Sequence, residues 1–472
     1  MQNRTFSAED QAAFAKLSGD YNDLHLDALV ARRSQFGEPI VHGVNALLWA
    51  LDSCLQADKP RKLEIKTLKS LFIREIRVGE PVRIEFTKTE SLLVRLKIIA
   101  ADAPVASIKV EFCERDWSVD TKPKQGVPAR LAPADPAGAA FVSAHGELDL
   151  LLDAPALKQM YPNLDACMNP QQIAIILGAT RLVGMHCPGR YSLFSELELL
   201  ADVSSDAPML TYEVRSIDTR FDLLVIDIKA PNMRGLIHAF HRPAPQRQER
   251  FSNLRNLVAE NEFVSQRAVV IGGSRGLGEV AAKLLVAGGA DVKITYHQGR
   301  REATDLVDEI TSCGGKSACF QFDVLNPDPA ELKASLESWY PTHLYYFATP
   351  TISATIGGKF SIGLFHKYCA YYVTGLLDTL SVPEFNSCRN IFCPSTIFAE
   401  DPPANFGEYA AAKVASEALG IFLKKTCSGM NLYAPRLPRL ATDQTVSVGG
   451  VAGAAPGPVI LAELRAFQML TA

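Results

Sequence analysis

The chain has 472 residues, of which 47% are hydrophobic, and a formal net charge of −4. Such a length predicts about three domains, and so much apolar content supports packed cores and excludes a disordered or fibrous chain. A mildly acidic balance without a long basic run argues against nucleic acid as the main partner.

The first element with chemical content is Leu17-Ser18-Gly19-Asp20-Tyr21-Asn22-Asp23-Leu24-His25, followed by Ile40-Val41-His42-Gly43. Hydration next to a carbonyl needs one group to move the hydroxyl proton, one to serve the α-carbon and a donor for the enolate oxygen. Asp20, His25 and the Gly43 amide fit these places. Gly43 opens the apolar run Gly43 to Leu51, read as a helix whose N-terminal N–H groups suit an oxyanion. Taken singly, Asp20 and Asn22 read as turn caps and His25 as a packed imidazole; it is their joint order that points to chemistry.

Strand-like alternation follows at Leu71–Ile76, Val82–Phe86, Leu93–Ile99 and Ala106–Phe112. Residues 121–139, rich in Pro, Ala and Gly, read as a linker. The plan then repeats. Asn169-Pro170-Gln171-Gln172 opens an apolar helix, with strands expected at Ser192–Leu197, Leu210–Val214, Phe221–Ile228 and Gly235–Phe240. This repeat, 140–244, lacks the acid–base motif and is expected to be structural, with His186 and His238 as packing residues. A polar junction is expected at 245–264.

From Ala268 an apolar strand runs into Gly272-Gly273-Ser274-Arg275-Gly276-Leu277-Gly278 and a helix, a strand–turn–helix order that brings a helix N-terminus to a pyrophosphate. Tyr409 and Lys413, spaced i and i+4, share a helix face, and an ammonium near a phenol is expected to lower its pKa. Ser395 or Thr396 supplies a hydroxyl upstream. Arg275 in the turn, with no acid in Thr295-Tyr296-His297-Gln298, favours a 2′-phosphate and hence NADPH, with Arg300 or Arg301 assisting. The ten cysteines form no C-x-x-C pair, so they read as reduced thiols and no metal site is expected. The start at Met1-Gln2-Asn3-Arg4 has no signal-peptide core and no stretch has the character of a membrane span, so a cytoplasmic location is expected.

The N-terminal motif resembles the G-D-x-N-P-L-H signature of MaoC-like, hotdog-fold (R)-specific enoyl-thioester hydratases and dehydratases, with Asp23 in place of the family's proline. That substitution puts a second carboxylate near Asp20, where like-charge repulsion is expected to raise its pKa. The resemblance implies an α+β double hotdog over 1–120 and 140–244, with Asp20 and His25 catalytic and Gly43 an oxyanion donor. Residues 265–472 resemble the α/β Rossmann-type short-chain dehydrogenase/reductases, most closely 3-ketoacyl-thioester reductases. By that resemblance Gly272, Ser274, Arg275, Gly276, Leu277, Gly278, Asp323 and Val324 bind the cofactor, and Tyr409, Lys413 and Ser395 or Thr396 are catalytic. Three departures stand out: Tyr346-Phe347-Ala348-Thr349 for the N-A-G turn, Tyr372 where a relay asparagine is usual, and no evident last strand.

These expectations combine into a bifunctional NADPH-dependent 3-ketoacyl reductase and (R)-3-hydroxyacyl dehydratase acting on thioesters of coenzyme A or an acyl carrier protein. Both families imply a homodimer or larger assembly. One alternative is a hydratase with an inert or regulatory nucleotide-binding module. Another is a non-catalytic acyl-carrier platform built on the basic strip Lys59, Arg61, Lys62, Lys66 and Lys69.

Overall fold

The computed structural model describes residues 2–56, 61–90, 92–117, 122–136, 138–205, 207–352, 359–386, 388–445 and 453–471. The chain divides into two compact units at Ala244 and Pro245.

In the N-terminal unit, helix α1 (Ala8–Ser18) starts at a capping box between Ser7 and Asp10. The short helix α2 (Asp23–Leu26) follows, and then α3 (Gly43–Asp52), whose residues Val44 to Leu51 are all buried. Strands β1 (Asn3–Thr5), β2 (Leu63–Phe72), β3 (Pro81–Thr89), β4 (Leu93–Ala100) and β5 (Ala103–Glu114) are followed by β6 (His145–Leu148). Helix α4 (Pro170–Arg181) is also buried along its length after its first residue, and β7 (Ser192–Ala201), β8 (Leu210–Asp218), β9 (Leu223–Ala230) and β10 (Met233–His241) follow it.

Two repeats of five strands each, wrapped on α3 and α4, therefore share one sheet of ten strands, ordered β1-β3-β4-β5-β2-β7-β10-β9-β8-β6. The seam is the antiparallel pair β2–β7, in register from Thr67 opposite Leu200 to Leu71 opposite Glu196. Apolar side chains of α3, α4 and both sets of strands form one continuous core. All-round apolar helices are the expected partners for a sheet that wraps them. The first predicted strand, Leu71–Ile76, is displaced: β2 spans Leu63–Phe72, because its alternation is interrupted by a bulge between Ile65 and Thr67.

Residues 122–136 are not a free linker. Lys124–Gln125 pairs with Leu151–Leu152, and the Ala134 N–H donates to Met185 O at 2.9 Å while Ala134 O accepts from Arg190 N–H at 2.7 Å. The Arg130 guanidinium lies 5.4 Å from the centre of the Tyr21 ring. Prolines and alanines here make an extended strap whose polar backbone groups are satisfied by the unit it crosses. Nor is 245–264 a linker: a helix at Phe251–Arg255 places Phe251 and Leu254 in the core of the C-terminal unit, together with Phe263.

The C-terminal unit has six parallel strands: β11 (Arg267–Ile271), β12 (Asp291–Tyr296), β13 (Ser317–Gln321), β14 (His343–Tyr346), β15 (Asn390–Phe392) and β16 (Asn431–Tyr433). Their order, β13-β12-β11-β14-β15-β16, is that of a doubly wound sheet with its switch point between β11 and β14. Helices α5 (Gly276–Ala287), α6 (Arg300–Ser312), α7 (Gly407–Thr426) and α8 (Pro456–Thr471) flank it.

Candidate active sites

The first site starts where α1 ends. Gly19 takes φ +79°, which a left-handed helix C-cap requires, and a Cβ there would lie 2.5 Å from Pro128 and 2.8 Å from Arg181. The turn delivers Asp20 into the interior. Its Oδ2 accepts from Thr180 Oγ1 at 2.7 Å and its Oδ1 from the Asn22 N–H at 3.3 Å. Burial raises the Asp20 pKa to about 6, against the lowering effect of those two bonds. Desolvation is the cause, and the expected repulsion from Asp23 is not.

Asn22 holds the loop from the other side. Its Nδ2 donates to the carbonyls of Gly184, Gly189 and Arg190 at 2.9, 3.2 and 3.2 Å, and its Oδ1 caps α2 at Leu24. His25 then faces Ile40, with Nδ1 2.8 Å from the carbonyl. A carbonyl only accepts, so Nδ1 carries the proton and Nε2 presents a lone pair. Burial lowers the His25 pKa to about 4, which keeps the ring neutral at physiological pH.

His42 stacks on His25 with ring centres 3.8 Å apart. Its Nε2 lies 3.0 Å from the Asp20 carbonyl and its Nδ1 2.9 Å from Gln11 Oε1, which also accepts from the His42 N–H. Gly43 follows as the first residue of α3, so its N–H has no intrahelical acceptor. A Cβ there would stand 2.9 Å from the Phe72 ring. Asp20, His25 and His42 converge closely enough to hold a metal ion. Carbonyl oxygens face one ring nitrogen of His25 and both of His42. That leaves His25 Nε2 and the Asp20 carboxylate as the groups able to act as an acid–base pair.

The second repeat completes this site. Helix α4 supplies Thr180, and the π-turn Leu182–His186 that continues it brings Gly184 against Asp20, where a Cβ would lie 2.0 Å from Oδ1. Met185 Sδ accepts from the Tyr21 N–H at 3.1 Å. No local pattern in the sequence marks these residues, because Thr180 and Gly184 stand 160 or more positions from the motif they serve.

The second site lies in the C-terminal unit. Gly272 and Gly276 take φ +70° and +60°, and a Cβ on Gly278 would lie 2.4 Å from Gly272 O. No side chain caps the N-terminus of α5, so its N–H groups face outward from a tight glycine cradle. These residues fit a dinucleotide pyrophosphate. Ser274 is buried in the same turn and Leu277 packs partly against the core. Asp323 stands just past the end of β13, its carboxylate accepting from the Leu325 N–H and Asn326 Nδ2, while the Val324 side chain enters the core. Arg275 pairs with the buried Asp443, so the cation expected to await a phosphate already meets a carboxylate.

Ser395 and Thr396 separate clearly. The Ser395 hydroxyl donates to Glu417, whereas Thr396 Oγ1 accepts from the Phe398 N–H at 3.3 Å and stands near enough to Tyr409 to act on its phenol. Lys413 Nζ donates to Pro394 O at 2.7 Å and lies 3.8 Å from the centre of the Tyr372 ring, against 6.0 Å from that of Tyr409. Burial lowers the Lys413 pKa to about 8. The Tyr409 pKa is not lowered by the lysine, as its i, i+4 spacing predicts; packing among Tyr368, Tyr372 and Phe398 buries the phenol and raises it. Tyr372 bonds Thr349 Oγ1 at 2.6 Å, joining two of the three departures from the family pattern.

Residues 1–110 match the family model described as MaoC like domain, and residues 266–339 match that for short chain dehydrogenase. Over 108 residues the chain is 37% identical to an (R)-specific enoyl-CoA hydratase of Aeromonas caviae, which is 22% of this chain and 73% of that one. This chain belongs to the MaoC-like family. Its C-terminal unit carries a segment that matches the short chain dehydrogenase model, and the glycine cradle lies within it. A peroxisomal hydratase-dehydrogenase-epimerase of Saccharomyces cerevisiae is 31% identical over 86 residues, 18% of this chain and 9% of that longer protein. A solved 3-oxoacyl (acyl-carrier-protein) reductase of Agrobacterium tumefaciens C58 with NADP bound aligns over 43% of this chain and 88% of that chain, at 20% identity and a TM-score of 0.37.

In the MaoC-like unit the basic strip is neutralised. Arg61 pairs with Glu114, Lys62 with Asp116, Lys66 with Glu111 and Lys69 with both Glu196 and Glu198, while Lys59 lies outside the described residues. Paired, exposed charges of this kind are a solvated sheet face, not a carrier platform. Among the described residues no helix is long and apolar enough to cross a membrane.

Proposed function

We propose that this protein is a bifunctional enzyme: an (R)-specific 3-hydroxyacyl-thioester dehydratase/enoyl hydratase in its MaoC-like unit and an NADPH-dependent 3-ketoacyl-thioester reductase in its C-terminal unit. The thioester belongs to coenzyme A or an acyl carrier protein. The observation that carries the first activity is the buried pairing of Asp20, ionised above about pH 6, with a neutral His25 whose Nε2 lone pair is free. The two repeats are read as a double hotdog in which only the first bears the motif.

At neutral pH both groups accept, so one water donates to both and turns its oxygen lone pair toward the enoyl C3. As the C–O bond forms, the water proton passes to the acid–base pair and electron density moves to the thioester oxygen, where the Gly43 N–H and the start of α3 receive it. The proton returns to the α-carbon, which restores both groups. Dehydration is the reverse.

In the second site Gly272, Ser274, Gly276 and Gly278 hold the pyrophosphate. Arg275, once released from Asp443, meets the 2′-phosphate, with Asp323 at the adenine. The bound cofactor supplies hydride. Tyr409 donates the proton to the carbonyl oxygen, Thr396 orients that oxygen, and Lys413 carries a proton it releases near pH 8.

The test is NADPH oxidation with acetoacetyl thioesters, following crotonyl product in the same cuvette. Tyr409→Phe stops the first signal and Asp20→Ala only the second. The second reading, a hydratase with an inert nucleotide-binding module, draws on the burial of Tyr409 and the Arg275–Asp443 pair; untouched NADPH with crotonyl thioester still hydrated would establish it.

A further inference from the structure

Arg242 directly follows β10 and is only 6% exposed. Its N–H donates to Tyr191 O at 2.7 Å, its Nε donates to Ser192 O at 3.3 Å, and its guanidinium lies 6.0 Å from the centre of the Tyr191 ring. Among the described residues no carboxylate pairs with it, and neither terminal nitrogen has an acceptor. Exposed arginines of the same unit are served otherwise: Arg215 pairs with Asp227 and Arg220 with Asp218. Asp135 and Asp222 act on the neighbouring His241 instead.

A guanidinium has five donors, and here the stem and Nε are enclosed while the two terminal nitrogens, which have no acceptor among the described residues, are not among the fully enclosed polar atoms, so the fork is open to an incoming anion. Its place narrows what that is. Tyr191 adjoins Arg190, whose carbonyl holds Asn22 in the acid–base loop and whose own Nε is buried without an acceptor. The charge of Arg242 is felt at His25, where it helps to keep the ring neutral. The Arg242 guanidinium thus faces the Tyr191 ring one residue from the carbonyl that holds the motif loop. A planar fork of donors matches a carboxylate or phosphate in two parallel bonds.

We infer that Arg242 is a recognition site for an anionic oxygen group carried by the thioester substrate. The inference rests on the hydratase reading of the Asp20–His25 site. The group is either a carboxylate on the acyl chain or the phosphate of the pantetheine arm, and both present the same chemistry to the fork.

The experiment uses the full chain, Arg242→Gln and Arg242→Lys, with crotonyl-CoA, glutaconyl-CoA and crotonyl-N-acetylcysteamine, which lacks phosphate. Loss of a bidentate, desolvated contact raises KM by about 30-fold or more in Arg242→Gln with kcat little changed, and Arg242→Lys recovers part of it. A phosphate source shows as a rise for crotonyl-CoA and none for the cysteamine ester; a carboxylate source shows as a rise confined to glutaconyl-CoA. If no thioester changes its KM by more than about threefold in a folded variant, or if only kcat falls, the inference is wrong. Calorimetric titration of glutarate and of 4′-phosphopantetheine into the native chain and Arg242→Lys tests the site without turnover. Binding of neither overturns it, and an inactive native chain that still binds one of them through Arg242 refutes the hydratase reading alone.

Discussion

Thr180→Val removes one hydroxyl from the wall of the Asp20 site and keeps the side-chain volume. The lost bond, 2.7 Å to Oδ2, is to a group that is charged when active. Hydrogen bonds to charged groups contribute roughly 1.5–3 kcal/mol, which at about 1.4 kcal/mol per unit moves the Asp20 pKa up by about one to two units. From about 6 it reaches roughly 7–8, so at pH 7 the ionised fraction falls from about nine-tenths to between a half and a tenth. The hydration rate on crotonyl-CoA should drop about two- to tenfold at pH 7 and recover by about pH 9. The assay is kcat/KM against pH for native and variant chains, read at the acid limb. A limb that stays in place, or a loss equal at every pH, refutes the argument that Thr180 acts by holding Asp20 ionised.

Gly184→Ala drives a methyl into Asp20 Oδ1; overpacking of this kind costs about 1–3 kcal/mol, so the melting temperature falls and hydration is lost while dinucleotide binding by the C-terminal unit persists. For stability against pH, Asp20 has its folded pKa raised from 3.8 to about 6, so its contribution falls as pH rises through that window. His25 has its folded value depressed from 6.5 to about 4, so its contribution falls as pH drops through its own. Each contribution amounts to about 3 kcal/mol, and the other buried histidines, His42 and His343, act in the same sense as His25, so in denaturant melts Asp20→Asn should lose stability toward pH 4.5 more steeply than the native chain; equal slopes would refute the raised Asp20 value. Thr396→Val should abolish NADPH oxidation and Ser395→Ala should spare it, since the Ser395 hydroxyl is taken by Glu417 and Thr396 is the hydroxyl that acts on Tyr409; the reverse result would assign the hydroxyl to Ser395. Asp443→Asn frees Arg275 and should tighten NADPH over NADH binding in fluorescence titrations; no change in that ratio would place the 2′-phosphate elsewhere.

The motif Asp20 to His25 and the glycine turn Gly272 to Gly278 were legible because each is a contiguous stretch whose residues need only a local turn to meet. The repeat plan was legible for a similar reason, since strand alternation and apolar helices are short-range patterns. What is not legible is long-range. Thr180, Gly184 and Arg242 carry no signature of their own and acquire meaning only when the sheet closes across β2 and β7. The order of the proline-rich strap and of the polar stretch after Ala244 is not legible, because composition reports flexibility of an isolated segment, whereas Ala134 and Phe251 are fixed by partners elsewhere in their units. The i, i+4 spacing of Tyr409 and Lys413 likewise gave proximity, but burial reversed the expected electrostatics.

The seam between the two repeats has a consequence for how this chain can change. In the second repeat the start of α4, which corresponds to Gly43 in the first, is closed: Gln172 bonds the Ile65 N–H at 2.6 Å and the Ile65 carbonyl at 3.0 Å, and Asn169 bonds Glu64 at 2.7 Å. A symmetric pair of such repeats would carry two equal acid–base sites; this one carries the acid–base pair in one half and, at the matching place in the other, side chains bonded to the first repeat. Mutations in the second half are therefore not neutral drift in a spare part, because the same polypeptide stretch that makes those bonds furnishes Thr180 and Gly184 to the acid–base site. Separating the halves at the strap would leave two fragments, neither of which holds that site complete.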